Sequence, residues 1–123
     1  MNNYISIIIG IIFIFPLSGF SQRIFSVDAE YKADIKVFVV DAEYKADLVV
    51  YKVKEAYQAG KNDGQWYFAD AEYKADFTIF FVDAEYKSEL KVFFADAAYK
   101  AGWKKRDKMH LLYWSVAEAE VLQ

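Results

Sequence analysis

Apolar and polar positions fall into alternating blocks along most of this chain. The runs Ile35-Lys36-Val37-Phe38-Val39-Val40, Phe77-Thr78-Ile79-Phe80-Phe81-Val82 and Leu90-Lys91-Val92-Phe93-Phe94-Ala95 each lead into a short polar segment, fullest as Asp-Ala-Glu-Tyr-Lys-Ala-Asp. Six residues rich in β-branched and aromatic side chains predict a strand. Alternation places Leu90, Val92 and Phe94 on one face and Lys91, Phe93 and Ala95 on the other. Both faces are largely apolar, so these strands are expected to be covered on both sides. The polar segment predicts one helical turn or a tight loop. Its first aspartate is suited to the N-cap, and its Glu and Lys suit the positive and negative ends of the helix dipole.

Together the two halves make a unit of 13 residues that occurs six times, most clearly as Ile35 to Asp47. Its first acid recurs as Asp28, Asp41, Asp70, Asp83 and Asp96, with Lys54 in that place in the third unit. A tyrosine follows each time: Tyr31, Tyr44, Tyr57, Tyr73, Tyr86 and Tyr99. The step is 13 residues except between units three and four, where it is 16. A fixed period means one structural unit stacked on itself. A strand of this length covers about 20 Å, and seven fully helical residues at about 1.5 Å each could not return that distance. Each unit therefore reads as strand out, turn, semi-extended return. Units wound so tightly predict parallel or mixed pairing with few free edges.

Two units depart from the pattern. The third lacks both acids and runs into Lys61-Asn62-Asp63-Gly64, an irregular loop. The sixth ends Ala101-Gly102-Trp103. Gly60 and Gly102 share one unit position, where a positive φ is expected as the path changes. Met109 to Trp114 reads as a last strand, and Ser115 to Gln123 as a short helix or frayed tail.

The ends and the composition narrow the class. Residues 1–21 hold no charged side chain, are apolar from Ile5 to Leu17 except for Ser6, Gly10 and Pro16, and end with small residues at Gly19 and Ser21. This predicts a signal peptide cleaved before Gln22, and an exported protein, periplasmic or secreted, with no stable membrane anchor afterwards. An uncleaved anchor is the alternative, though the stretch is shorter than the roughly 20 residues a spanning helix needs. Residues 22–123 then form one domain, with repeats over about 24–104 and a strand and tail over 105–123. The chain has no Cys, so packing must hold it. Hydrophobic residues make up 56% and aromatic residues 20%, enough for a sizeable core. A net charge of −3 speaks against nonspecific nucleic-acid binding, which needs a basic face. The run from Lys104 to Lys108 reads as a solvated loop.

The repeat resembles the septoil knot domain, a family of small bacterial proteins. The matching motifs are Ala33-Asp34-Ile35, Ala46-Asp47-Leu48 and Ala75-Asp76-Phe77, with the closing Ala101-Gly102-Trp103 and His110-Leu111-Leu112-Tyr113. The resemblance covers about residues 24 to 113. It implies a mostly β fold with short helical turns, its six 13-residue repeats wound into one compact domain, the backbone tied in a seven-crossing torus knot. It carries no known activity and no established functional residues.

Catalysis finds little support. The lone His110 lies in an apolar run, Ser26, Ser88 and Ser115 lack a nucleophile elbow, and thiolate chemistry is excluded. The first acids, and the second set Asp34, Asp47, Asp76 and Glu89, would form ladders if units stack in register. Carboxylate ladders can hold Ca²⁺, but every unit repeats them, so the preferred reading is that one set caps turns while the other hydrogen-bonds local N–H groups or the neighbouring lysines. No metal or cofactor is expected. Tyr31, Tyr44, Tyr73, Tyr86 and Tyr99 are the ligand-binding candidates, because an aromatic row can bind sugars or proteins. The preferred alternative is that each ring packs and leaves only its hydroxyl wet. Trp66, Trp103 and Trp114 are expected in or beside the core. The sequence thus points to an exported, non-enzymatic compact module, structural or interactive. The second reading is a carbohydrate- or protein-binding module using its Tyr/Glu/Lys face.

Overall fold

The computed structural model describes residues 22–112. The expected signal peptide, Tyr113, Trp114 and the tail lie outside the described residues. Seven strands follow one another: β1 (Arg23–Ser26), β2 (Ile35–Val39), β3 (Leu48–Lys52), β4 (Gln65–Phe68), β5 (Phe77–Phe81), β6 (Leu90–Phe94) and the short β7 (Gly102–Trp103). Six single 3-10 turns join them, at Glu30–Lys32, Glu43–Lys45, Ala56–Gln58, Glu72–Lys74, Glu85–Lys87 and Ala98–Lys100. A 3-10 helix over Arg106–Leu112 closes the described chain.

The strand order is β4-β1-β5-β2-β6-β3, and β4 also pairs with β3, so six parallel strands close into a barrel. β7 runs antiparallel beside the start of β3. The chain goes round this barrel twice. β1, β2 and β3 form the first circuit and leave a gap after each strand. β5 fills the gap between β1 and β2, β6 that between β2 and β3, and β4 that between β3 and β1. The longer step between units three and four is where the chain moves on by one barrel position instead of two, and so enters the gaps. Every strand pairing therefore joins the two circuits, and no two strands of the same circuit pair.

The alternation within each run decides what fills the barrel. Ile24, Ile35, Val37, Leu48, Val50, Trp66, Phe77, Ile79, Leu90 and Val92 face inward and are buried, and Leu112 of the last helix joins them. Side chains alone fill a barrel this small. A second layer lies on the outside, where Val40, Ala46 and Val49 are buried with Phe38, Phe93 and Ala95 against them. Cover is thus present on both faces, but the outer side chains are mostly half-buried.

The second acids stitch the circuits together. The backbone N–H of Asp34 donates to the Thr78 carbonyl at 2.9 Å, and its carboxylate accepts the Thr78 N–H at 2.9 Å. Asp47 does the same to Lys91, Asp76 to Arg23 and Glu89 to Lys36. Each acid holds one residue of a neighbouring strand by both backbone groups. The hydrogen bonding expected of this set is present, but its partners are 44 or 53 residues away rather than local.

The two ends of the described chain are tied together by a polar relay. Trp66 Nε1 donates to Gln22 Oε1 at 3.1 Å, and Gln22 Nε2 donates to Asn62 Oδ1 at 2.9 Å. Trp103 Nε1 reaches the same Asn62 oxygen at 3.0 Å, and Asn62 Nδ2 reaches the Met109 carbonyl at 3.3 Å. The 61–64 loop is irregular as expected, yet it is bonded to both ends of the described chain. Trp66 is fully buried and Trp103 packs against the core.

Four expectations are corrected. Met109 to Leu112 belongs to the final 3-10 helix, not to a strand, because β7 has already taken the place beside β3. The Lys104–Lys108 run is exposed as far as Asp107, as expected, but it is not a free loop: the N–H groups of Lys104 and Lys105 donate to the Asp47 carbonyl at 2.8 and 3.0 Å, and Lys108 Nζ reaches the Asp47 carboxylate. Gly102 has φ 153°, but the second positive-φ glycine is Gly64, at φ 89°, and not Gly60. Finally, the first aspartates do not cap. Ala29, Ala42, Ala71, Ala84 and Ala97 occupy the N-cap positions, with no side-chain capping bond. A three-residue 3-10 turn starts at the Glu or Ala before the tyrosine, one residue later than an aspartate cap requires.

Candidate functional site

Freed from capping, each first aspartate binds the lysine four residues on. The pairs are Asp28–Lys32 at 3.2 Å, Asp41–Lys45, Asp70–Lys74 and Asp96–Lys100 at 3.0 Å, and Asp83–Lys87 at 2.9 Å. The lysine's hydrogen bond, and then its charge, hold the carboxyls of Asp41, Asp70, Asp83 and Asp96 below the usual carboxylate range. The same contacts raise Lys45 and Lys100. The pair closes the base of the turn, and the tyrosine between its members points outward.

The tyrosines are the most exposed large hydrophobic side chains among the described residues. Tyr31, Tyr44, Tyr57, Tyr73, Tyr86 and Tyr99 are each 83–86% exposed. The packed-ring reading is therefore wrong. The turn stands above the outer layer, so its middle residue has nothing to lie against. Five of the rings have only the neighbouring lysine ammonium, 5.8–6.0 Å from the centroid, at the far limit of a cation–π contact.

Nor do the tyrosines line one face. The turn linking two strands of one circuit passes over the strand of the other circuit between them. The first turn lies on β5, the second on β6, the fourth on β1, the fifth on β2 and the sixth on β3, while the third packs on β4. One turn thus sits over each barrel strand, and the tyrosines form a rim in the order Tyr57, Tyr73, Tyr31, Tyr86, Tyr44, Tyr99. Tyr57 belongs to this rim as fully as the five candidates. Its unit lacks both acids, but its place in the repeat is the same.

Grooves run between neighbouring turns. One, of about 370 Å³, has Phe38, Val39 and Val40 as its floor, Asp41 and Lys45 on one side and Glu85 of the next turn on the other. A second, of about 280 Å³, repeats it residue for residue with Phe80, Phe81, Val82, Asp83, Lys87 and Glu30. A third, of about 660 Å³, lies at the third turn.

The remaining candidates are dispersed. His110 is exposed, and its Nδ1 lies 2.9 Å from the Asp107 carbonyl. Ser26 ends β1, and the Ser88 hydroxyl donates to the Glu85 carbonyl at 2.7 Å. Ser115 is outside the described residues. Neither set of acids converges: the first is divided among five lysines and the second among strand N–H groups. No group of three or more His, Cys, Asp or Glu among the described residues is placed to hold a metal ion. No helix among them is long and apolar enough to cross a membrane.

The model of the 7(1) septoil knot domain matches residues 21–104. The chain belongs to this family, and its repeated strand–turn units fit that domain. No curated protein and no solved structure matches it.

Proposed function

We propose that this protein is an exported, non-enzymatic interaction module whose tyrosine rim engages an extended glycan. The observation that carries this is the exposure of the six equivalent rings, 83–86% each, all round the barrel. The fold makes no use of them: the core lies inside the strands and beneath the turns. Single exposed hydrophobic residues are ordinary on protein surfaces, but six identical ones at one structural position call for another role. A tyrosine ring offers a flat apolar face with a polar edge, which suits the C–H face of a sugar. The Glu, Asp and Lys beside it supply hydrogen bonds to hydroxyls. Rings spread round a circumference cannot all meet one flat epitope, whereas a long polymer can pass from one to the next.

Export rests on the uncharged leader with Gly19 and Ser21 before Gln22. The Gln22 side chain is buried, bonded at both ends, so cleavage there would leave the barrel whole. A non-enzymatic role is supported by the scattered placing of His110 and the serines.

The test is retention on immobilised polysaccharides of a variant with Tyr31, Tyr44, Tyr73, Tyr86 and Tyr99 all changed to Ser. Wild-type retention lost in the folded variant supports the reading. Equal retention of both proteins, or retention of neither on any polysaccharide, overturns it. Tyrosine-dependent capture by a purified protein surface alone would assign the rim to protein binding instead.

A further inference from the structure

The groove at the third turn has the position of its two counterparts and the opposite chemistry. At the site of Phe38 and Phe80 it has Tyr51. Lys54 stands in place of Asp41 and Asp83, Gln58 in place of Lys45 and Lys87, and Ala98 in place of Glu85 and Glu30. Gln65 of β4 completes it, and Tyr57 of the rim forms part of its wall, whereas no tyrosine lines the other two. Each counterpart carries two carboxylates and one ammonium; this groove carries one ammonium and no carboxylate among its lining residues.

The turn itself is rebuilt to permit this. The Asp–Lys pair is replaced by a capping box in which the Glu55 side chain takes the Gln58 N–H and the Gln58 side chain takes the Glu55 N–H. Gln58 Oε1 accepts from the backbone N–H of Lys54 at 3.1 Å and of Glu55 at 2.9 Å. Its oxygen is thereby spent, and what it offers the groove is the NH₂ donor. No carboxylate among the described residues ion-pairs with Lys54. With Ala98 where the sister grooves have a Glu, this groove has a volume of about 660 Å³, within the 300–1,000 Å³ range of small-molecule sites.

We infer that this groove binds an acidic sugar unit, its carboxylate on Lys54 and the Gln58 amide and its ring against Tyr57 and Tyr51. A cation beside amide and hydroxyl donors selects a carboxylate. Two aromatic side chains select a ring-sized apolar face, and the missing acids remove the repulsion that the sister grooves would offer. The inference deepens the rim reading by naming the class of glycan and the one position that selects it.

The experiment is titration of the full chain with a trimeric uronic acid and with a neutral trisaccharide, followed by calorimetry and amide chemical shifts. The discriminating variant is Lys54→Asp with Gln58→Lys and Ala98→Glu. It installs the side chains that fold at the equivalent positions of the sister units, so folding is expected to survive. Wild type should bind the uronate at least tenfold more tightly than the neutral sugar, with shifts at Tyr51, Lys54 and Tyr57, and the triple variant should lose that binding. The inference is overturned if wild type does not bind the uronate, binds the neutral sugar equally well, or is matched by the triple variant. The five-tyrosine variant keeps Tyr57 and separates the two readings. Uronate binding lost there but retained in the triple variant would leave the rim standing and remove the groove.

Discussion

Asp47 is fully buried, and its carboxylate accepts the Lys108 ammonium at 3.1 Å, 61 residues further along the chain. The same oxygen accepts the Lys91 N–H at 2.9 Å, while the Lys104 and Lys105 N–H groups donate to the Asp47 carbonyl. One residue thus joins the start of β3, the β6 ladder and the final helix. Changing Asp47 to Ala strands the Lys91 N–H and the ammonium together. An unmade buried hydrogen bond costs about 1–3 kcal/mol, so a loss of about 2 kcal/mol or more is expected. Lys108→Ala leaves the buried Asp47 carboxylate with only the Lys105 ammonium, at 4.0 Å, as a charge partner among the described residues, so it too should cost about 1–3 kcal/mol. Urea denaturation of both single variants and the double variant measures the coupling. Equal, small losses for both would show that Asp47 is not the anchor.

Gly64 marks the crossing from the first circuit to the second. Its φ is +89°, and a Cβ there would lie 2.4 Å from the Val49 carbonyl oxygen. Ala would meet both the steric cost of a left-handed conformation, about 1–2 kcal/mol, and a backbone atom that cannot move aside. Gly102 has φ +153° with nothing within 4 Å of its Cβ site. Gly64→Ala should therefore destabilise by about 2 kcal/mol or more, and more than Gly102→Ala. The reverse order in thermal melts would contradict the close approach.

The strands and turns were legible because they repeat: six apolar runs and six polar segments give the same signal six times. The winding was not. Asp47 and Lys91, or Asp34 and Thr78, stand 44 residues apart, and no local pattern marks such partners. The resemblance carried by the Ala-Asp motifs supplied the architecture that spacing alone could not. The rim was half-legible. Tyrosine at a fixed place was visible, but whether its ring packs depends on how high the turn stands above the outer layer. The third groove was hidden because its residues come from β3, the third turn, β4 and the sixth turn.

Exposure of the rim also makes a stability prediction. Surface substitutions away from special contacts usually change stability by within about 0.5 kcal/mol. Any one of Tyr31, Tyr44, Tyr73, Tyr86 or Tyr99 changed to Ser should therefore leave the unfolding midpoint almost unmoved. A loss of several kcal/mol from one of these changes would mean that the ring packs in solution.

Acid should weaken the turns. The lowered carboxyls of Asp41, Asp70, Asp83 and Asp96 contribute stability that is present above the unfolded value of about 3.9 and lost as pH falls through the lower folded value. The thermal midpoint should be steady from neutral pH to about 5 and fall below about 4. All four groups are exposed, so about 1 M salt, with a Debye length near 3 Å, should shrink the fall. A midpoint that rises on acidification from pH 6 to 3 would contradict the assignment.

The two circuits make a stronger prediction about folding. The first half of the described chain holds β1, β2 and β3, and the second holds β4 to β7, with the 61–64 loop between them. No strand pairs with another in its own half. Fragments ending and starting at that loop should each lack sheet signal in circular dichroism, since neither contains one ladder. The intact chain must close long loops before any ladder forms, and folding rates fall as contacts become less local. Refolding should therefore be slow for a chain of this size, and unfolding highly cooperative, because releasing any strand opens a gap between two strands of the other circuit. The 61–64 loop has the composition of a protease site, but Asn62 is bonded to Gln22, Trp103 and Met109. Proteolysis of transiently opened chain follows the population of the open form, and here no unit opens alone. Residues 22–112 should accordingly persist as one resistant fragment under a broad protease. Early cutting within the 61–64 loop, or sheet structure in either isolated half, would show that the halves are stable without each other and that the interleaved winding does not govern the fold.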